Sequence, residues 1–299
     1  MCSGKKSGPG AALRGDTPLP ALLRSAAEEC SLPPVLTILA IYLLFGALVG
    51  LWAGLMGAGG AVLLVPILHF TLGLQEVDPS LIHHMAIATT MANILFTSCV
   101  ATYTHHKRGA VPWRTVAWMV PGLLLGSFAG SYGTAFIPAG PLTLFFACFL
   151  VYAGVQMFVE VRPKASRHMP GKGGQIAMGM FIGVLSGVLG VGGAALTIPI
   201  LLICGLPLLP VLASSGAFGF PIAVAGCIGY MLTAWGHPGL PAYSLGYIYL
   251  PALLGLVPAS MLFASLGVRL AHAMPQKRLR QCIGLLILSM AARMIWKLL

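Results

Sequence analysis

Long apolar runs, separated by short segments that carry most of the charges, occupy most of this chain. A helix of about 20 apolar residues crosses the hydrocarbon core of a bilayer. The pattern predicts membrane-spanning helices at 35–56, 81–104, 115–137, 142–159, 211–233, 243–266 and 279–295. Two more apolar stretches, 61–74 and the pieces on either side of Gly192, are short for a span. They indicate re-entrant or broken helices.

The composition excludes a water-soluble globular protein. Of the 299 residues, 58% are hydrophobic and 8% are charged, whereas a soluble domain has about 25% charged residues. The formal charge of +11 comes from Lys and Arg residues that cluster between the apolar runs. The positive-inside bias explains them better than nucleic-acid binding does. The seven cysteines contain no CxxC pair and are interpreted as small apolar side chains. The expected fold is that of an all-α polytopic membrane protein.

One glycine-rich segment occurs twice. GLWAGLMGAGGAVLLVPIL at 50–68 returns without a gap as GVLSGVLGVGGAALTIPIL at 183–201. A weaker similarity links AIATTMAN at 86–93 to VLASSGAF at 211–218. These matches predict an internal duplication with two homologous halves. The matched Gly and Pro positions are Gly50, Gly54, Gly57, Gly59, Gly60 and Pro66 in the first copy, and Gly183, Gly187, Gly190, Gly192, Gly193 and Pro199 in the second.

The duplication divides the chain into four parts. These are a flexible N-terminal tail (1–34), a first membrane repeat (35–161), a basic cytoplasmic linker (162–175) and a second membrane repeat (176–299). Basic residues follow the 81–104 run but not its counterpart, whereas the loop after 115–137 is uncharged and the loop after 243–266 is basic. Because Lys and Arg mark the cytoplasmic side, this reversal favours inverted repeats. Each glycine-rich region is then a re-entrant hairpin or a pair of short spans, and the basic residues of the tail lie outside.

The motif G-x-x-G-x-G-G, followed six residues later by Pro, is present once in each half. In an apolar chain of this length it resembles the sulfite exporter TauE/SafE family. The resemblance covers nearly everything after the N-terminal tail. It implies a bacterial-type inner-membrane permease, with sulfite and organosulfonates such as sulfoacetate among the suggested cargoes.

The glycines of the motif divide into two groups. The first two of each copy have the GxxxG spacing that allows helices to pack closely. The last three are spaced too irregularly for one helix face, and a fresh apolar segment follows them. We therefore predict a chain break before a helix N-terminus, whose unpaired N–H groups and partial positive charge suit an anion. The candidate anion-binding residues are Gly57, Gly59, Gly60, Gly190, Gly192 and Gly193.

A polar stripe follows one face of the 81–104 helix. Thr89, Asn93 and Thr97 recur at every fourth position, with Thr90 beside them. Ser214 and Ser215 occupy the comparable place in the second half. Such side chains either bond across helices or line a polar pocket that donates hydrogen bonds to an oxyanion. Thr89, Thr90, Asn93, Ser214 and Ser215 are therefore candidate substrate-binding residues.

Histidines are the available titrating groups inside the membrane, because no Asp or Glu lies in the middle of a clear span. His69, His83 and His84 are the candidates for proton coupling. The alternative is that they cap helix ends or lie among lipid headgroups. No metal site is predicted.

These patterns predict a secondary transporter, an exporter of small anions in the bacterial inner membrane. An anion channel and a non-transporting scaffold are the alternatives. The sequence contains no HExxH, no GxSxG and no paired intramembrane carboxylates, which argues against an enzyme. No cofactor is predicted, and the expected partners are a small anion and the lipid bilayer. The sequence leaves the cargo, the direction of transport and the oligomeric state open.

Overall fold

The structure is a computed structural model that describes residues 34–56, 60–75, 77–158, 169–237, 239–271, 285 and 287–296. The chain divides into two compact units, Met1–Ile38 and Leu39–Leu299. In the first unit, only the beginning of a helix at 34–38 is described. The packing discussed below is that of the second unit.

The described part of the chain is almost entirely helical. The helices are α1 (Pro34–Met56), α2 (Ala61–Gly73), α3 (Pro79–Lys107), α4 (Trp113–Thr134), α5 (Ala139–Phe158), α6 (Lys172–Leu189), α7 (Ala194–Ile203), α8 (Leu208–Thr233), α9 (Leu250–Ala271) and α10 (Ile287–Trp296). A small antiparallel hairpin of β1 (Ser244–Leu245) and β2 (Ile248–Tyr249) precedes α9.

Five of the described helices, α3, α5, α6, α8 and α9, contain stretches long and apolar enough to cross a membrane. Large apolar side chains also remain on the outside, among them Leu125, Phe181 and Leu254, which are 63%, 59% and 73% exposed. Water would penalise such a surface, whereas lipid accepts it. The prediction of an all-α polytopic membrane protein is confirmed.

Helix α3 lies at the centre of the fold and is buried along most of its first half. It crosses α8 in an antiparallel direction. A Cβ placed on Gly216 would lie 3.6 Å from the side chain of Ala101, and one on Gly226 would lie 3.4 Å from the sulfur of Met91. As the chain advances along α8, its neighbours on α3 therefore run backwards.

Small residues bring two other helix pairs into backbone contact. A Cβ on Gly183 of α6 would lie 2.6 Å from the carbonyl oxygen of Leu123 in α4. A Cβ on Gly46 of α1 would lie 2.7 Å from the carbonyl oxygen of Leu256 in α9. Only glycine permits this approach, so the packing role predicted for the GxxxG glycines is confirmed at Gly183.

The second glycine-rich segment breaks the chain, as predicted. Helix α6 ends at Leu189 and α7 begins at Ala194. Gly190 and Gly193 between them have φ of +66° and +77°, a left-handed conformation that side chains with a Cβ rarely adopt. In the first copy, α2 begins at Ala61, while Gly57 and Gly59 lie outside the described residues.

Two described helix starts differ by four residues or more from those that the sequence predicts. Helix α6 begins at Lys172, inside the segment interpreted as a linker. The start of the 243–266 span is wrong, because Tyr243 has a φ of +64° and the hairpin turns at Gly246 with a φ of +58°. Helix α9 therefore begins only at Leu250. The apolar and aromatic residues of the hairpin extend the hydrophobic run without continuing the helix.

Candidate functional site

The N-terminus of α7 forms the most polar point of the chain break. The N–H groups of Leu196 and Thr197 donate to the carbonyl oxygen of Gly193 at 3.1 and 2.7 Å. The N–H groups of Ala194 and Ala195 precede this first helical turn, and Gly193 has no side chain that could cap them. These amides, together with the helix dipole, favour a negative charge at this end.

Two buried hydroxyls border the same point. Ser186 of α6 and Thr197 of α7 are both 0% exposed. A Cβ placed on Gly193 would lie 3.6 Å from the Ser186 Oγ and 3.5 Å from the Thr197 Oγ1. Neither hydroxyl has a hydrogen-bond partner among the described residues. Leaving a buried hydroxyl unsatisfied costs about 1–3 kcal/mol, so a pair beside free amides marks a place where a ligand would be stabilised.

Apolar side chains enclose the two left-handed glycines. A Cβ on Gly193 would lie 2.7 Å from the Cδ1 of Ile222 in α8. A Cβ on Gly190 would lie 3.1 Å from the Cα of Ile87 in α3. Glycine is therefore required at both positions by conformation and by space. The walls keep water away, which strengthens hydrogen bonds to a bound ion.

The equivalent point in the first half is apolar. In the alignment of the two glycine-rich copies, Ala53 stands where the second copy has Ser186, and Leu64 stands where it has Thr197. Gly60 is buried in a right-handed helical conformation, and a Cβ on it would lie 2.8 Å from the Cβ of Ala53. The described part of the first copy therefore presents no hydroxyls comparable with those at α7.

The polar stripe of α3 is occupied by contacts within the protein. The Thr89 hydroxyl accepts a hydrogen bond from the Tyr249 N–H at 3.0 Å, and the Asn93 Oδ1 accepts one from the Ser260 hydroxyl at 3.0 Å. The Thr90 hydroxyl donates to the Ala86 carbonyl one turn earlier at 2.7 Å. These bonds hold the hairpin and α9 against α3. They match the interpretation of the stripe as helix-to-helix bonding, and the substrate role of these residues stays a prediction.

The serines of α8 also bond locally. The Ser214 hydroxyl donates to the Pro210 carbonyl at 2.8 Å, and the Ser215 hydroxyl donates to the Leu212 carbonyl at 2.8 Å. Both side chains are fully buried. Their part in substrate binding likewise stays a prediction.

The three predicted histidines cluster around the first turns of α3. His83 is 0% exposed, and its ring lies 5.8 Å from that of His69 and 5.6 Å from that of Phe146. His84 stacks on Tyr247 at 5.2 Å, and its Nε2 lies 3.2 Å from the Thr134 carbonyl. Sequence reasoning placed the three at span ends without showing that the fold brings them together.

The predicted glycines Gly190 and Gly193, with Gly192 between them, do form the break, but the hydroxyls beside it were missed. The available signal was a comparison of the two copies. Ser186 and Thr197 are the only hydroxyl residues in the second copy of the motif, and the first copy has none.

Comparisons with known proteins identify the family of this chain. The family model described as Sulfite exporter TauE/SafE matches residues 42–294. The chain belongs to this family. The chain is 30% identical over 262 residues to a "probable membrane transporter protein" of Haemophilus influenzae, covering 87% of this chain and 99% of that protein.

Two further relatives carry similar names. A probable membrane transporter protein of Methanocaldococcus jannaschii is 25% identical, with 82% of this chain and 91% of that protein covered. One of Bacillus subtilis is 26% identical, with 84% and 96% covered. No solved structure matches the chain significantly. The protein is therefore a multi-pass membrane transporter.

Proposed function

We propose that this TauE/SafE protein carries small, singly charged oxyanions, such as hydrogen sulfite or organosulfonates, out of the cell across the bacterial inner membrane. The observation that carries the proposal is the pair of unpartnered buried hydroxyls, Ser186 and Thr197, beside the N-terminus of α7. Hydroxyls and amides donate hydrogen bonds to oxyanion oxygens.

The donor set favours one negative charge over two. No Lys or Arg lies in α7 or in the segment 190–193 before it. The site therefore offers hydrogen bonds and a partial helix charge of about +0.5, but no full positive charge of its own. The cost of removing an ion from water rises steeply with its charge. A monoanion is thus the better match.

We also propose that the two halves are inverted repeats. Two equivalent interfaces support this proposal. α4 packs on α6, and α9 packs on α1 in the same way. A position in α1 corresponds to the position 133 residues later in α6, which is the offset that relates Gly50 to Gly183. A position in α4 corresponds to the position 137 residues later in α9. With these offsets, the contact of Gly46 with Leu256 corresponds to that of Gly179 with Met119. The contact of Leu51 with Gly267 corresponds to that of Val184 with Gly130.

The direction of the central helices supports the inversion. α3 and α8 are corresponding helices in the two halves and cross antiparallel. An axis along the membrane normal would leave corresponding spans parallel, so a two-fold axis relating these helices lies in the membrane plane. Lys107 is the last residue of α3, and Trp235 lies two residues after the end of α8. Both are exposed. Single cysteines there, in a chain without native cysteines, should react with an impermeant reagent from opposite sides.

Reconstitution into liposomes tests the transport proposal. The purified protein is offered hydrogen sulfite, methanesulfonate, sulfoacetate, sulfate, thiosulfate and a carboxylate, each with and without a proton gradient. Saturable flux of the monoanions above that of sulfate is expected. Flux without saturation would favour an anion channel, and no flux of any anion by the folded protein would favour a scaffold. Movement of neutral solutes alone would contradict an anion transporter.

A further inference from the structure

His83 is a buried titratable group with no visible structural task. Its ring is 0% exposed, and neither ring nitrogen has a hydrogen-bond partner in the part of the chain that the structure describes. Buried polar groups are normally hydrogen-bonded, and a histidine needed only for packing could be replaced by an apolar ring. The unused nitrogens therefore point to a ligand, and the smallest ligand for an imidazole is a proton.

The described groups around His83 include no negative charge. The titratable groups that face it are His69 from α2 and its neighbour His84 in α3, and from α5 it meets the apolar ring of Phe146. His84 in turn stacks on Tyr247 of the hairpin. None of these described groups carries a negative charge that would pair with an imidazolium. The positive end of the α3 dipole also disfavours a positive charge on the imidazole.

His83 also lies close to the chain break. It is one helical turn before Ile87, so both residues lie on the same side of α3. Ile87 is the residue that contacts Gly190, where a Cβ would lie 3.1 Å from the Ile87 Cα. Along α3, His83 is thus about one turn of helix, about 5.4 Å, from the residue that contacts the chain break.

We propose that His83 binds the proton that accompanies the anion through the transporter. This rests on the proposed function, because it takes the α7 site to hold an anion. A proton on His83 alone leaves a buried positive charge, and an anion at α7 alone leaves a negative one. Bound together, the two charges compensate each other across a low-dielectric interior. The complete load is neutral, so one proton and one monoanion move in the same direction, and export is driven by an outward gradient of the anion.

His69 provides the entry for the proton. It is partly exposed, and its ring lies 5.8 Å from that of His83 in an edge-on arrangement. The proton passes from solvent to a His69 nitrogen and then to a nitrogen of His83, through a water molecule where the rings do not touch. No bond other than N–H bonds forms or breaks.

Proton movement driven by an anion gradient tests this. Liposomes holding the full-length protein and a pH-sensitive dye are given an inward gradient of methanesulfonate. This ion does not become protonated in the working pH range, so it cannot carry protons across the lipid itself. The wild type should acidify the interior with about one proton per anion. The H83Q and H83N variants should lower that ratio at least tenfold, whereas H106Q, at an exposed position in the last turn of α3, should keep it.

The outcomes separate the two proposals. No methanesulfonate flux in the wild type would overturn the anion transporter and the coupling together. Flux without proton movement, or an unchanged ratio in folded H83Q, would overturn the coupling alone. Folding of each variant is checked by gel filtration in detergent. If both His83 variants failed to fold while H106Q folded, His83 would have a packing role and the assignment would be wrong.

Discussion

The hydroxyl of Tyr230 donates a hydrogen bond of 2.6 Å to the carbonyl oxygen of Gly187. Tyr230 is 0% exposed and belongs to α8, while Gly187 lies in the last turn of α6. Carbonyls in the last turn of a helix have no partner within it. The bond therefore satisfies a helix end inside the protein and fixes α8 to the residue just before the chain break.

Replacing Tyr230 by Phe should destabilise the protein without filling or emptying space. The loss should be about 1 kcal/mol, because the Gly187 carbonyl loses its partner in a buried setting. The measurement is the unfolding midpoint in detergent. Y152F is a matched control, since Tyr152 is 50% exposed on α5. An equal midpoint for Y230F and the wild type would show that the bond contributes nothing.

The double variant S186A/T197V should change affinity and stability in opposite directions. Methanesulfonate affinity should fall at least tenfold, equivalent to about 1.4 kcal/mol. Stability in the absence of anion should stay the same or rise, since two unsatisfied buried hydroxyls are removed. Binding and unfolding are measured on the same preparation. S265A is the control, because Ser265 bonds only locally on an exposed face. Unchanged affinity in the double variant would place the anion elsewhere.

Replacing Gly193 by Ala should disrupt the break at a single position. The residue would be held at a φ of +77°, and its methyl group would meet the Ile222 side chain at 2.7 Å. The left-handed conformation alone costs about 1–2 kcal/mol. Flux should fall at least tenfold. G133A is the control, since a Cβ there would meet no described atom within 4 Å beyond its own stretch of helix, and alanine favours the helix. Wild-type flux in G193A would contradict a fixed geometry at the break.

The start of α3 should weaken at acidic pH. The hydroxyl and N–H of Ser80 bond to the Asp78 carboxylate and hold its pKa below the usual value. A carboxyl whose pKa is lowered by folding adds stability above its unfolded pKa, and this is lost as the pH falls through the folded pKa. The protection factors of the amides at 80–84, which correct exchange for its intrinsic pH dependence, should therefore fall in acid. D78N, whose amide oxygen can still cap without titrating, should remove this pH dependence.

The apolar runs predict most of the helices because lipid imposes a length that the sequence must match. The beginnings of α2 at Ala61 and of α7 at Ala194 follow from the glycines that precede them. The start of α9 could not be read in the same way. The turn at Gly246 packs against Met231 of α8, where a Cβ would lie 2.7 Å from the Met231 Cα, and this contact depends on the folded structure.

The site was half predictable. The chain break at Gly190 and Gly193 and the new helix after it follow from local sequence, and the proposed anion site is at this break. The partners of the polar stripe do not follow from local sequence. Asn93 contacts Ser260, which is 167 positions away in the chain, and Thr89 contacts Tyr249, which is 160 positions away. A stripe of hydroxyls looks the same in a sequence whether it faces a substrate or a neighbouring helix.

Helices made early in synthesis pack against helices made later, and this has a consequence for biosynthesis. α4 belongs to the first half but packs its glycines on α6, and α1 packs on α9, near the end of the second half. When ribosomes have made only the first half, both glycine faces still lack their mates. The final packing can therefore form only after α9 has entered the membrane. A fragment that stops at residue 158 would leave these faces against lipid, so we expect that it does not assemble as an independent unit.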